Sequence, residues 1–202
     1  MEYDVLIIGG GPSGLSSAIK VKQLASAEGK DVSVCVLEKG SEIGAHILSG
    51  NVFEPTALNE LIPDWKEKEA PLNSPATKDI VKFMISENSS FNIPFPSFLI
   101  PTFNNHGNYV MSLANFTRWL ATQAESLGVE IFPGFTAAEV IFEENVVKGV
   151  LTGEMGISKD GEKKPSYQPS MELRGKYTVF AEGCRGHLGK QLIKKFNLDE
   201  NR

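Results

Sequence analysis

Gly9, Gly11 and Gly14 stand in the pattern G-x-G-x-x-G, directly after the apolar run at residues 5–8. That spacing suits the binding of a phosphate. The first glycine permits a tight turn. The second lets the backbone approach an anion with no Cβ in the way, and the third lets the next helix pack close to the strand. Pro12 and Ser13 open that helix, whose free N–H groups and positive dipole end face the same anion. Glu38, followed by Lys39, closes a second apolar run. A carboxylate at a strand end accepts hydrogen bonds from ribose hydroxyls. Glu38 lies 24 residues beyond Gly14, where about 20 is usual. The intervening helix is therefore longer than average by about one turn of 3.6 residues. Strand, glycines, helix and acid in this order describe a dinucleotide site, with pyrophosphate on the helix end and ribose on Glu38.

The elements behind these residues follow from hydrophobic patterning. Residues 5–8 and 32–37 read as parallel strands buried on both faces, joined by a helix over 12–28 that Gly29 ends. Leu15, Ala18, Ile19, Val21 and Leu24 are expected on its inner side. The β–α–β unit is right-handed by a strong general rule. Residues 40–53 form a glycine-rich loop, 55–62 a short helix, 66–78 a polar surface stretch and 80–86 a strand. Residues 112–127 form an amphipathic helix capped by Gly128, followed by a strand over 129–132. Residues 137–142 and 146–152 read as a hairpin, and 153–170 as a polar segment with a turn at Asp160-Gly161. Two strands, 171–174 and 177–181, precede a loop at 182–186 and a helix over 188–196.

A nicotinamide-binding domain continues in regular β–α units, and this chain does not. Its late apolar strand ends in Ala181-Glu182-Gly183. In glutathione-reductase-like FAD folds such a strand returns beside the first, with its end near the flavin nucleotide. The expected fold class is therefore α/β, a glutathione-reductase-like FAD-binding Rossmann-type fold. It carries a β-hairpin or meander insertion and part of a second, incomplete domain. Residues 182–188 also resemble the D-G-x-x-S-x-x-R stretch of flavin hydroxylases, which supports the pyrophosphate and ribityl region. Glu182 stands in the acid position beside Gly183; glutamate replaces aspartate, and the closing arginine is missing.

Composition narrows the partners. The 202 residues carry a net charge of −5, which gives no basic face for nucleic acid. Two cysteines, Cys35 and Cys184, fit a reducing compartment and cannot form a four-thiolate cluster within this chain. No apolar run reaches the ~18 residues of a membrane-spanning helix. The apolar strand so close to Met1 leads us to expect no leader ahead of it. Cys184 beside Arg185 reads first as a packed small residue and second as a thiol of lowered pKa.

Three stretches go further. They are Gly44–Gly50 running on through Pro63-Asp64-Trp65, Asn104–Tyr109 leading into Arg118-Trp119, and Ala181–Leu188 preceding Lys194-Lys195-Phe196. Together they closely resemble the electron-transfer-flavoprotein:ubiquinone oxidoreductases and FixC-like dehydrogenases, over essentially the whole chain. The resemblance implies an N-terminal fragment of an enzyme that takes electrons from reduced electron-transfer flavoprotein. These pass through FAD and a [4Fe–4S] cluster to ubiquinone. The cluster's cysteines would lie in a C-terminal part outside this chain, so the chain alone is expected to be inactive. The resemblance also implies monotopic attachment to the cytoplasmic face of a bacterial inner membrane, or to the mitochondrial inner membrane.

On this reading residues 1–54 carry the phosphate loop and a flavin-side loop, 55–112 part of a quinone- and membrane-side insertion, and 113–202 the return to the FAD domain. His46, Ser49 and Gly50 fall in the flavin-side loop, and Ala137 falls where related folds offer a backbone contact to adenine. For His46 an ordinary ordered loop is an equal alternative. No catalytic residue and no metal ligand is expected, because the chemistry is electron transfer. Residues 91–103 are too apolar for a solvated loop, and 52–65 is a second candidate; either meets lipid or packs against the rest of the protein. The competing functions are another FAD-superfamily enzyme, such as a geranylgeranyl reductase or hydroxylase, and an inactive truncated FAD-binding domain.

Overall fold

The computed structural model describes residues 1–48, 50–93 and 104–200. The elements in chain order are β1 (Glu2–Ile8), α1 (Pro12–Ala27), β2 (Val34–Glu38), β3 (Asn51–Phe53), α2 (Thr56–Leu61), β4 (Ser74–Pro75), β5 (Val81–Ser86) and β6 (Ser89–Ile93). They continue with β7 (Tyr109–Met111), α3 (Leu113–Ser126), β8 (Glu130–Pro133), β9 (Ala137–Glu143), β10 (Val146–Thr152), β11 (Met155–Ile157), β12 (Lys163–Gln168), β13 (Glu172–Phe180) and α4 (His187–Phe196). They fall into two units, one of residues 1–47 with 117–202 and one of residues 48–116.

The first unit is built on a six-stranded sheet in the order β8-β2-β1-β13-β10-β9. The pairs β8–β2, β2–β1 and β1–β13 are parallel. The pairs β13–β10 and β10–β9 are antiparallel. The centre is apolar on both faces because helices and strands cover both. On one side Ile7 packs toward α1, whose Leu15, Ala18 and Ile19 are wholly buried. On the other, Leu6, Ile8, Cys35 and Leu37 form one cluster with Ala137, Val140, Val150, Leu173 and Leu188. Each large aliphatic side chain so buried contributes about 1.5–3 kcal/mol. Burial also pushes the Cys35 thiol up to about 12, so Cys35 is a core residue and not a reactive one.

Several local expectations change. Leu24 is 55 % exposed; the buried face of α1 is Gly14, Leu15, Ala18, Ile19 and Ala25. The expected strands at 171–174 and 177–181 are one continuous strand, β13. Gly175 reads as a break in sequence, yet a Cβ there would stand 2.9 Å from Leu6 Cβ. Its glycine serves close strand packing, not a turn. The polar segment after residue 152 contains the hairpin β11–β12, with Gly161 N–H donating to Ser158 O across its turn. Such a two-stranded ribbon has no face to bury, so it carries no apolar alternation. Cys184 is exposed, against the packed position expected.

The second unit contains the small antiparallel sheet β3-β7-β4 and the separate hairpin β5–β6. Its core is Leu58, Ile62, Trp65, Ala70, Leu72, Met111 and Phe116. Ala70 and Leu72 therefore belong to a core rather than to a polar surface stretch. Trp65 stacks edge-on to Tyr109 at 5.8 Å, and its indole N–H donates to Asn59 Oδ1 at 2.7 Å. Among the described residues no helix is long and apolar enough to cross a membrane.

Candidate functional site

Three parallel strands of the first unit end side by side. Gly9 N–H donates to Leu37 O at 2.8 Å, and Ala181 N–H donates to Ile8 O at 2.8 Å. The ends of β1, β2 and β13 are thus tied around the turn at Gly9. The chain leaves β1 through α1 toward β2 on one side, while β13 comes in on the other side from β12, so the turn after β1 lies between two parallel neighbours.

The glycines of this turn serve different ends. Gly9 has φ +112°, and a Cβ there would lie 2.4 Å from Ala181 O. At Gly14 a Cβ would lie 2.0 Å from Gly9 O. Both positions are closed by packing. Gly11 is different: its backbone is extended, and a Cβ would meet nothing within 4 Å. The open space above Gly11 adjoins the first turn of α1, which has Pro12 at its start, no side-chain cap and no acid. Ser13 is exposed beside it. An open turn beside an uncapped helix end is a geometry that can hold an anion through backbone N–H groups and the helix dipole.

Glu38 is half-buried at the end of β2. Its Oε2 accepts from Gly10 N–H at 2.9 Å and its Oε1 from Gly40 N–H at 2.7 Å. Each carboxylate oxygen keeps a lone pair for a further donor. Gly10 and Gly40 were not singled out from sequence. A Cβ at Gly10 would come 2.5 Å from Ile43 Cδ1, and one at Gly40 would come 3.1 Å from Glu38 Oε1. The doublets Gly9-Gly10 and Lys39-Gly40 were the available signal. Lys39 itself is exposed. His46 is exposed too, its Nδ1 3.3 Å from where a Cβ on Gly40 would stand, so the loop after β2 folds back over this acid.

Glu182 and Gly183 follow β13. The Glu182 carboxylate accepts N–H bonds from His187, Leu188 and Gly189. Gly183 has φ +81° and open space about it. Ala137 is buried at the start of β9, and the carbonyl of Ala138 accepts a hydrogen bond from His187 Nε2 at 3.2 Å. The first unit thus holds Gly9, Gly11, Gly14 and Glu38 around one strand end, with Glu182 reached through Ala181. Gly50 lies in the second unit with φ +92°, and Ser49 lies outside the described residues. Among the described residues no three His, Cys, Asp or Glu side chains are grouped to hold a metal ion.

Residues 7–63 match the NAD(P)-binding Rossmann-like domain family. The electron transfer flavoprotein-ubiquinone oxidoreductase of Pseudomonas aeruginosa is 59 % identical over 98 % of this chain and 36 % of its own length. The mitochondrial enzyme of that name from Homo sapiens is 50 % identical over 99 % of this chain and 32 % of its own. The chain thus spans about a third of the length of these curated relatives. Among solved structures, a geranylgeranyl bacteriochlorophyll reductase-like protein from Thermoplasma acidophilum superposes with a TM-score of 0.64 and 22 % identity, covering 94 % of this chain and 41 % of that one. A myxobacterial chondrochloren halogenase, a variant of the FAD-dependent halogenases, gives 0.60 and 18 % identity over 94 % of this chain and 39 % of that one. At those identities the likeness is one of fold.

Proposed function

We propose that a chain so similar over its whole length to electron transfer flavoprotein-ubiquinone oxidoreductases carries the FAD-binding part of such an enzyme. The observation that carries this reading is the phosphate loop: two glycines closed by packing, one open, and a helix end left free of side-chain caps and acids. The open position at Gly11 and the free N–H groups of α1 would hold the pyrophosphate. Glu38 would accept the adenosine ribose hydroxyls with its remaining lone pairs, and the backbone of Ala137 would meet adenine. Pro12, Ser13, Lys39 and Gly183 line the same strand ends. His46 would approach the flavin ring, where a hydrogen bond tunes its potential. Bound FAD supplies the uptake of an electron pair and its onward release.

In the whole enzyme the electrons would come from reduced electron-transfer flavoprotein and leave to ubiquinone through a [4Fe–4S] cluster whose ligands lie outside this chain. We assign residues 1–54 and 113–202 to the FAD domain and 55–112 to the quinone- and membrane-side insertion. The hairpin β5–β6 supports monotopic contact at the bacterial or mitochondrial inner membrane. Its Phe83, Met84, Ile85 and Phe91 are 50–65 % exposed, with the Phe83 and Phe91 rings 5.5 Å apart. The apolar proline-rich segment at 94–103 lies outside the described residues. Phe83→Asp with Phe91→Asp is expected to cut co-sedimentation with anionic liposomes at least fivefold; unchanged binding would remove the hairpin from the membrane face.

Titration with FAD, followed by flavin absorbance, tests the cofactor reading. Glu38→Ala is expected to raise the Kd for FAD about tenfold to a hundredfold, since a hydrogen bond to a charged group contributes about 1.5–3 kcal/mol. Equal affinities for wild type and variant would overturn the assignment of Glu38.

A further inference from the structure

Glu182 stands where flavin hydroxylases present an acid to their cofactor, yet its carboxylate is occupied within the protein. Oε1 accepts the N–H groups of His187 and Leu188, both at 3.2 Å, and Oε2 accepts that of Gly189 at 2.8 Å. These are the first three residues of α4. A helix leaves its first four N–H groups without partners inside it. Here one side chain serves three of them, and its negative charge also meets the positive end of the helix dipole. The N-cap residue, Gly186, offers no side chain for this task. Glycine is required there, since a Cβ would come 2.7 Å from Glu182 Cβ and 2.8 Å from its Oε2.

Two further ties extend from this cap. His187 Nε2 lies 3.2 Å from Ala138 O. A carbonyl only accepts, so Nε2 carries the proton and donates. On the other side Ala181 N–H donates to Ile8 O, and Ala181 O packs against Gly9. One path of contacts therefore runs from the phosphate loop through Ala181 and Glu182 to the end of α4, and on through His187 to the backbone beside Ala137.

We infer that Glu182 is a positioning residue: its carboxylate holds the 182–189 turn against the phosphate loop at one end and against β9 at the other, and makes no contact with the ribityl chain. The inference rests on the FAD reading above for its consequence, though not for its geometry. Glutamine at 182 keeps the shape but offers one acceptor oxygen where two are used. Its amide N–H₂ would oppose a backbone N–H.

Amide hydrogen exchange of the flavin-free protein tests the geometry. In Glu182→Gln, exchange at Leu188 and Gly189 is expected to rise at least tenfold, with Leu6 and Val150 unchanged; unchanged exchange at 188 and 189 would overturn the inference. Affinities for ADP and FAD test the role. ADP carries the adenine, ribose and diphosphate but no ribityl chain. Glu182→Gln is expected to weaken both ligands by the same factor, about tenfold. Loss of FAD affinity with ADP unaffected would place the carboxylate on the ribityl chain and overturn the proposal. His187→Ala, which leaves the three backbone bonds to Glu182 in place, is expected to weaken ADP at least threefold without speeding exchange at 188 and 189; unchanged ADP affinity would remove the link to β9. If wild type bound neither ADP nor FAD, the cofactor reading would fall, and the exchange experiment would still decide what Glu182 holds.

Discussion

Gly14→Ala should destabilise the protein by about 3 kcal/mol or more, at the upper end of what overpacking costs. The added Cβ would stand 2.0 Å from Gly9 O. The clashing atom is backbone, so no side chain can rotate away. Relief requires α1 to move off β1, and that separates Leu15, Ala18 and Ile19 from the sheet. With total stabilities of about 5–15 kcal/mol for a domain, a loss of this size is a large share. Urea unfolding measures it directly. A variant within about 1 kcal/mol of wild type would show that α1 is not held against β1 as described.

Gly11→Ala should do the reverse: leave the fold intact and abolish the cofactor. A Cβ there meets no protein atom within 4 Å, and the backbone is already in a conformation alanine adopts. Stability is expected to change by less than about 1 kcal/mol, the cost of alanine in place of glycine at an N-cap. The same Cβ fills the space where a pyrophosphate would meet the backbone, so affinity for FAD should fall at least a hundredfold, about 2.7 kcal/mol. Normal unfolding with unaltered FAD affinity would move the phosphates away from Gly11. The two glycines, three residues apart, thus separate folding from binding.

What could be read in advance tracks the range of the interaction. The strand, glycines, helix and Glu38 are legible because their requirements are local: a turn, a free helix end, an acid at a strand end. Gly175 is not, because its cause is Leu6, which lies far off in sequence and meets it only in the sheet. The acid at 182 could be noticed, but its partners could not, since they exist only once α4 has formed and turned its N–H groups toward it. The hairpin at Met155–Gln168 escapes because polar ribbons lack the alternation that a buried face imposes. Ala70 and Leu72 escape because small or isolated apolar residues among lysines and glutamates give no period to detect.

The pairing of β1 has a temporal side. Glu2 to Ile8 lie at the centre of the sheet, but their register partners are Arg174 to Phe180. At roughly 5–20 residues per second of synthesis, this edge of β1 waits about ten to thirty seconds for its neighbour. Throughout that interval one edge of an apolar strand is open to wrong pairing, a route to aggregation. The contacts of Ala181 with Ile8 and Gly9 form only when β13 arrives, so the phosphate-loop turn stays open on that side until then.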